Sequence, residues 1–569
     1  MELSDNAKTV LDKRYLLKDA SGKIVETPEE MFVRVARHIA QAEKIYGSSP
    51  EYWTEKYYDL MVNLKFLPNS PALMNAGKSV GQLAACFVLP VEDSIDGIFD
   101  TLKHAALILQ SGGGTGFSFS RLRPSSDTVQ STGGLASGPV SFMKVFNTAT
   151  EVIKQGGARR GANMGTLRVD HPDILDFIKI KRKGGELENF NISVSITDVF
   201  MDALRRDDDY EILDPRNRSV RKKVRARTVF DELVKSAWET GDPGVIFIDA
   251  INRSNPTPHI GVIESTNPCG EQPLLSYEAC VLGSINLSKY VINEDKAPAI
   301  DFKSLAEDMR TAVRFLDDSI DVNKYPLPEI ELMHKGNRKI GLGIMGWADT
   351  LILLGIQYNS ERAFKMAETF MRFFRDTARD NSVALAKERG VFPNFYGSIY
   401  DAPNMPAPRN ATTTTIAPTG TLSIIADCSS GIEPLFDIAY KRFIMDTVLT
   451  EFNKYFVESA KKLNFYSESL VRDIIEKGSL RGIKGVPLKI KKLFKTAHEI
   501  NYKDHIEMQA SFQKYTDNAV SKTINMPVSA KKEDIANAYL LAYEKGCKGV
   551  TIFRYGSKKG TLVRFPDVD

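Results

Sequence analysis

The chain has 569 residues, 43% hydrophobic and 26% charged, the composition of an ordinary folded protein with ample material for a core. Lysine and arginine number 75 against 72 aspartate and glutamate, and a net charge of +3 implies no broad surface for nucleic acid or anionic membrane. Composition excludes a disordered chain, a collagen-like repeat and a disulfide-stapled mini-domain, and length allows about three or four domains.

The N-terminal stretch MELSDNAKTVLDKRY is polar and lacks the apolar centre of a signal peptide. Residues 1–65 read as a helical, ancillary region. Thr27-Pro28-Glu29-Glu30 is a capping box, Phe32, Val35, Ala36 and Ile39 follow at helical spacing, and Gly47 closes the element. From 66 the texture alternates: ACFVLPV (85–91), FSFSRL (117–122) and NISVSI (191–196) read as strands between helical stretches, which predicts an α/β architecture. Asp207 to Asp209 and the basic run Arg216 to Arg227 read as a solvated hairpin or loop. Leu305, Met309, Val313, Leu316 and Ile320 form one helical stripe, and a long helix is predicted from the N-cap Ser360 to Gly390. Residues 446–530 read as a mostly helical insertion and 531–569 as a closing helix and strand, GVTIFRY (549–555), around a catalytic region at 66–445. IGLGIMGWADTLILLGI (340–356) is interrupted by Asp349 and glycines and is too short to span a bilayer. With no CxxC pair among the five cysteines, a reducing cytoplasm is expected.

Several chemistries lack support. The seven histidines show no HExxH spacing, so no metal site is expected, and neither a GxSxG elbow nor a P-loop occurs. GLGIMG (341–346) matches GxGxxG, but the charged HKGNRK before it is unlike a buried strand, so close packing is the better reading than a dinucleotide site. SGGGTG (111–116) and APTGTLS (417–423) could present backbone amides to an anion, or be ordinary turns. In STNPCGEQPLLSYEAC (265–280), Asn267, Cys269 and Glu271 alternate, so an extended segment would put an amide, a thiol and a carboxylate on one face. The alternative is a buried cysteine in a tight turn.

In one order, LPNSPALMNAG (67–77), ACFVLPVEDS (85–94), SGGGTGFSFSRLRP (111–124), KQGGARRGA (154–162), STNPCGEQ (265–272), RKIGLGIMG (338–346), TIAPTGTLSIIADCSSGIEP (415–434) and SKTINMP (521–527) resemble the catalytic subunit of ribonucleotide reductase, most closely its adenosylcobalamin-dependent class II. The resemblance implies a ten-stranded α/β barrel of two antiparallel five-stranded halves with a central finger loop. It implies that Cys269 at the finger tip becomes a thiyl radical, flanked by Asn267 and Glu271, and that Cys86 and Cys280 are the reducing pair that forms a disulfide. Substrate contacts are implied at Ser70, Ala85, Gly112 and Gly113, with phosphates cradled by Thr419, Gly420, Thr421, Leu422 and Ser423. A deoxynucleotide or ATP effector is implied at Asp93, Ser94, Arg121 and Arg123, relayed to the substrate base through Gln155, Arg159 and Arg160, in a homodimer. Surface ion pairing is the plain alternative for Arg121 and Arg123.

On this reading the thiyl radical takes the ribose 3′ hydrogen atom, Glu271 takes the 3′-OH proton, Asn267 holds ribose hydroxyls, and the 2′ hydroxyl leaves as water. GVTIFRYGS (549–557) has Phe553 and no Tyr-Tyr pair, and the glycyl-radical signature is missing, which leaves adenosylcobalamin as the implied cofactor. The alternatives are a large subunit served by a separate radical-generating subunit, and a silent nucleotide-binding paralogue. Two departures from the family are expected to matter: no activity-switching ATP cone, and no paired-cysteine tail. An external thioredoxin-like dithiol would then act directly, unless a partner chain carries the tail or the sequence is truncated. Cys428 and Cys547 have no implied role.

Overall fold

The computed structural model describes residues 1–129, 133–153, 161–294, 297–444, 447–477 and 479–557. Its N-terminal region holds the helices α1 (Asp5–Arg14), α2 (Pro28–Ala40), α3 (Pro50–Val62) and α4 (Ser70–Asn75), and the short strand Phe66–Pro68 between α3 and α4 pairs antiparallel with residues 283–285 as the tenth strand of the main sheet. Thr27 and Glu30 satisfy each other's backbone amides at the start of α2, as the capping box requires, and Phe32, Val35, Ala36 and Ile39 are buried. The turn after α2 ends at Gly47 in the left-handed region, φ +70°.

The barrel follows in two halves. Strands β1 (Cys86–Pro90), β2 (Gly114–Ser118), β3 (Asn163–Arg168), β4 (Phe190–Ile196) and β5 (Gly244–Phe247) run parallel, each paired with the next. Helices α5 (Ile95–Gln110) and α6 (Gly138–Val152) make crossovers between them, as parallel pairing demands. A short hairpin, β6 (Ser265–Thr266) and β7 (Pro273–Leu274), then leads into β8 (Ala279–Asn286). The long helices α7 (Phe302–Val322) and α8 (Glu361–Arg389) flank β9 (Ile340–Met345), which pairs parallel with β8. Extended residues 412–416 lie parallel beside β9 and bridge to Val520. The short helix α9 (Gly420–Ile425), the helix α10 (Tyr502–Gln513), β10 (Thr523–Met526), α11 (Lys532–Glu544) and β11 (Gly549–Arg554) complete the chain, with β10 and β11 parallel. The halves meet antiparallel at β1–β8 and β5–β11, which closes the ring and leaves no free edge there.

The apolar stripe of α7 is buried, and α8 begins at Ser360 and stops at Gly390, where the sequence places them. The basic run forms a hairpin, Asp209–Leu213 with Val220–Arg225, whose arginines pair with Asp127, Asp170 and Asp214. One expectation is corrected. The segment 446–530 is not a mostly helical insertion throughout, because its end, β10, is a barrel strand pairing with β11. HKGNRK, which is unlike a buried strand, closes the helix Pro328–Asn337 and is buried all the same: His334, Asn337, Arg338 and Lys339 are covered, the two cations met by partners distant in sequence.

Candidate active site

The hairpin β6–β7 is the finger, and its tip is residues 267–272. Asn267 and Gln272 exchange backbone and side-chain hydrogen bonds, and the Gly270 amide donates to the Asn267 carbonyl at 3.1 Å. Gly270 sits at φ +81°, a conformation that favours glycine. The chain therefore reverses where an extended segment was expected. Asn267 and Glu271 are turned inward and buried, while Cys269 is exposed at the tip.

The finger is seated on both halves of the barrel. Asn191 on β4 donates to the Pro268 carbonyl at 2.8 Å, and Thr415 Oγ1 and the Ala519 amide donate to the Glu271 carbonyl at 3.0 and 2.9 Å. Gly116 on β2 makes room for this strand: a Cβ there would lie 1.8 Å from the Thr266 carbonyl oxygen.

The thiols meet beneath the tip. Cys86 on β1 and Cys280 on β8 are directly opposed in the antiparallel register. Such pairs have α-carbons about 4.5–5.5 Å apart, inside the range a disulfide spans. All five cysteines are thiols here. Asn267 Nδ2 donates to Cys86 Sγ at 3.2 Å. Burial pushes the Cys86 thiol well up, and the charges of Glu271, Cys280 and Cys269 push it further, which puts the finger's thiol and carboxylate within electrostatic reach of the pair. Burial also raises the Cys280 thiol, opposed by Lys339. Both buried thiols thus hold their protons near neutral pH.

A buried ion pair lies behind Cys280, and nothing local in the sequence marks it. Lys339 Nζ is 2.7 Å from Glu278 Oε2, Asn337 Nδ2 donates to Glu278 Oε1, and Cys280 Sγ donates to the Lys339 carbonyl at 3.5 Å. His334 Nε2 hydrogen-bonds that same carbonyl at 3.2 Å.

APTGTLS starts at this centre. Ala417 packs in one apolar cluster with Cys86, Cys280, Val88, Leu274 and Leu282. Thr419 stands at the N-cap position of the following helix α9 but makes no capping bond with its side chain; it is buried, and its hydroxyl accepts from the Gly431 amide at 2.8 Å. The first turn leaves the Thr421 and Leu422 amides without intrahelical acceptors. Ser423 Oγ donates to the Gly420 carbonyl, and a Cβ on Gly420 would meet only open space. Ser70 opens α4, and its hydroxyl is 2.8 Å from Tyr15 OH; Arg14 donates to Thr421 Oγ1 at 3.1 Å. These two N-terminal contacts were not read from the sequence, since their partners lie 55 and 407 positions away.

SGGGTG behaves differently from an anion cradle. The amides of Gly112, Gly113 and Gly114 donate to the Leu109, Ile108 and Ala85 carbonyls. The glycines serve close packing instead: a Cβ on Gly113 would strike Phe87 and Ile108, and one on Gly114 would strike Pro268 of the finger. Ala85, next to Cys86, donates its amide to the Cys280 carbonyl at 3.2 Å. GLGIMG is likewise packing: Gly343 lies against the Thr415 backbone, and Gly346, φ +81°, starts a helix.

At the expected effector position, Ser94 caps α5, and Asp93 accepts the Arg123 amide and guanidinium. Arg121 pairs with Glu92 and with Glu264, the latter at 3.0 Å. Both arginines are thus ion-paired, as the plainer reading has it. Gln155, Arg159 and Arg160 lie outside the described residues.

A cavity of about 630 Å³ opens on the far side of α9, lined by Ser423, Cys428, Phe436, Asn453, Asn525 and Phe553, among others. Cys428 is half-buried on its wall, with a thiol raised by burial and by Asp349. Cys547 is a core residue whose thiol burial pushes up to about 12. Among the described residues no cluster of histidine, cysteine and carboxylates could hold a metal ion, and no helix is long and apolar enough to cross a membrane.

Comparison with known proteins agrees with this geometry. Residues 84–553 match the ribonucleotide reductase barrel domain, and residues 1–81 match the ribonucleotide reductase all-alpha domain. The chain is 50% identical to a vitamin B12-dependent ribonucleoside-diphosphate reductase of Thermoplasma acidophilum, covering 98% of this chain and 80% of the relative. It is 46% identical to a protein of the same description from Mycobacterium tuberculosis, covering 99% and 80%. The Actinobacillus ureae class Id ribonucleotide reductase alpha subunit shares the fold, with a TM-score of 0.79 at 24% identity over 97% of each chain. A finger threaded through a ten-stranded barrel, two opposed thiols beneath it and matches along nearly the whole length identify the chain as a member of the ribonucleotide reductase family.

Proposed function

We propose that the chain reduces ribonucleoside diphosphates to 2′-deoxyribonucleoside diphosphates, with adenosylcobalamin as radical source and an external dithiol as reductant. The observation that carries the reading is the convergence of Cys269, Cys86 and Cys280, which are up to 194 positions apart, on the inner end of one finger. The diphosphate substrate and the cofactor are those in the names of the relatives that are 46–50% identical.

The residues divide the work. The Cys269 thiol is the exposed one, so as a thiyl radical it reaches the ribose and takes the 3′ hydrogen atom. Glu271 receives the 3′-OH proton, Asn267 orients the ribose hydroxyls, and the 2′ hydroxyl departs as water. Cys86 and Cys280 then supply two electrons and two protons and join as a disulfide, and the Cys269 thiol gives the hydrogen atom it took back to C3′ and is left once more as a thiyl radical. The balance is one ribonucleotide and one dithiol giving one deoxyribonucleotide, one disulfide and one water. Asn267, already donating to Cys86, couples the ribose to the reducing pair. Thr419 to Ser423 offer hydroxyls and first-turn amides to the phosphates.

The residues around the 630 Å³ cavity fit the cofactor: Phe436 and Phe553 offer flat apolar surface to a macrocycle, and Asn453 and Asn525 offer partners to its amide-bearing rim. When bound, adenosylcobalamin supplies the one-electron chemistry that removes the Cys269 hydrogen atom. Phe553, on β11 at the cavity wall, has no O–H for a tyrosine relay from another subunit.

A homodimer is proposed through α5 and α6, which expose Ile95, Phe99, Leu107, Val145 and Val152. Asp93, Ser94, Arg121 and Arg123 at the base of α5 are proposed to take a nucleotide effector there, with Gln155, Arg159 and Arg160 as the relay. A thioredoxin-like protein is the proposed reductant, and the cytoplasm the proposed compartment, because the dithiol must be regenerated.

The test is an anaerobic assay with adenosylcobalamin, a ribonucleoside diphosphate and dithiothreitol, and no second protein. Deoxynucleotide from wild type and none from Cys269→Ser is the expected result. Turnover only after adding another subunit would overturn the cofactor assignment, and none under any condition would favour a silent paralogue.

A further inference from the structure

We propose that Arg14, at the end of α1, binds the substrate phosphates, and that Tyr15 beside it positions Ser70. The inference rests on the reading that residues 419–423 hold those phosphates.

The loop 417–423, Ala-Pro-Thr-Gly-Thr-Leu-Ser, contains no ionisable side chain. Hydroxyls and amides orient a diphosphate but do not neutralise its charge, and a guanidinium does both through paired N–H donors. Arg14 stands at that loop: its Nη1 donates to Thr421 Oγ1 at 3.1 Å, while α1 packs along α9. The open space beside Gly420 lies on the same turn of backbone. The next residue makes a second, separate contact with the proposed site. Tyr15 is buried, and its OH is 2.8 Å from Ser70 Oγ, which fixes the rotamer of a hydroxyl expected to meet substrate. At its other end the same segment reaches the 630 Å³ cavity, where Ser4 and Asn6 form part of the wall. The N-terminal helix is thus built along the substrate site, with its only arginine at the phosphate end.

Calorimetric titration of the full chain with CDP and with cytidine tests this. Wild type is expected to prefer CDP strongly. Arg14→Met is expected to weaken CDP binding by ~10- to 100-fold, to leave cytidine binding unchanged, and to raise KM with kcat within about threefold; Arg14→Lys should recover part of the loss. Tyr15→Phe is expected to slow turnover a few-fold in wild type but to add nothing in a Ser70→Ala background. Unchanged CDP affinity in Arg14→Met overturns the role of Arg14, and additive effects of Tyr15→Phe and Ser70→Ala overturn that of Tyr15. If Arg14→Met does not fold, Arg14→Gln, which keeps a donor for Thr421, decides by the same titration. A wild type that binds cytidine as tightly as CDP would instead sink the phosphate site itself.

Discussion

Two buried polar regions sit on opposite sides of β8 and β9, and they are built on different plans. The first joins the helical N-terminal region to the barrel. Arg389 pairs with Asp317, Asp318 and Glu43 at 2.7–2.9 Å, Arg338 with Asp317 and Asp321, and Arg314 with Glu43, while Tyr46 and Tyr57 donate to Asp321 and Asp318. Arg338, Arg389 and Arg409 hold the Asp317 carboxyl down at about 2 against the cost of burial. The second region is the thiol centre, whose contacts are weaker: an amide-to-sulfur bond from Asn267, a thiol-to-carbonyl bond from Cys280, and an apolar cluster around both sulfurs. A charge taken out of water must be matched by charge, so the first region is dense and fixed. A thiol is cheap to bury, so the second can be left available for chemistry.

The largest way to separate the two is Cys269→Ser. An O–H bond is too strong to relay a hydrogen atom, so turnover should fall by ~10⁴-fold or more, with CDP affinity and thermal stability unchanged. Arg389→Met should do the reverse in kind, costing ~3–5 kcal/mol in urea unfolding by leaving the buried Asp318 without a cation and weakening the pairing of Asp317 and Glu43. An unchanged midpoint there would show that the cluster is not what fixes the helical region.

His334 gives a pH-dependent difference. Burial holds its imidazole at about 3, so between pH 6.5 and 3 the unfolded chain binds a proton that the folded chain excludes. Its contribution to stability is full above pH 6.5 and is lost as pH falls, by ~2 kcal/mol between pH 6.5 and 5. His334→Gln should flatten that slope in denaturation curves at several pH values. The smallest effect is expected from Thr415→Val, which removes one hydroxyl donor to the finger's Glu271 carbonyl. About 1 kcal/mol, or a fivefold loss in turnover at unchanged stability, is the scale of one neutral hydrogen bond. A change in stability without a change in turnover would mean that the seat of the finger does not set its chemistry.

Local patterns carried much of the fold. The capping box at Thr27, the stripe on α7 and the span of α8 need only neighbours within a few turns, and the alternation of strand and helix pointed to α/β. The eight ordered motifs pointed to Cys269, Cys86 and Cys280 as a set. Burial of HKGNRK was not legible, because the carboxylates that make it tolerable, Glu278 and Asp317, come from elsewhere in the chain. Nor was the turn at 267–272, since alternation suits a strand and a hairpin tip equally. The amides of SGGGTG looked available for an anion until the carbonyls of α5 and Ala85 were seen to take them.

The sequence by itself determined the element types, the caps and the residue kinds that this chemistry requires, because those depend on contacts between near neighbours. Only the tertiary structure decided that Cys280 faces Cys86, that Asn267 reaches a sulfur 181 positions away, and that Arg14 meets Thr421 across the molecule. Such meetings are fixed by closing the barrel, and long-range closure leaves no periodic trace in the residues it joins.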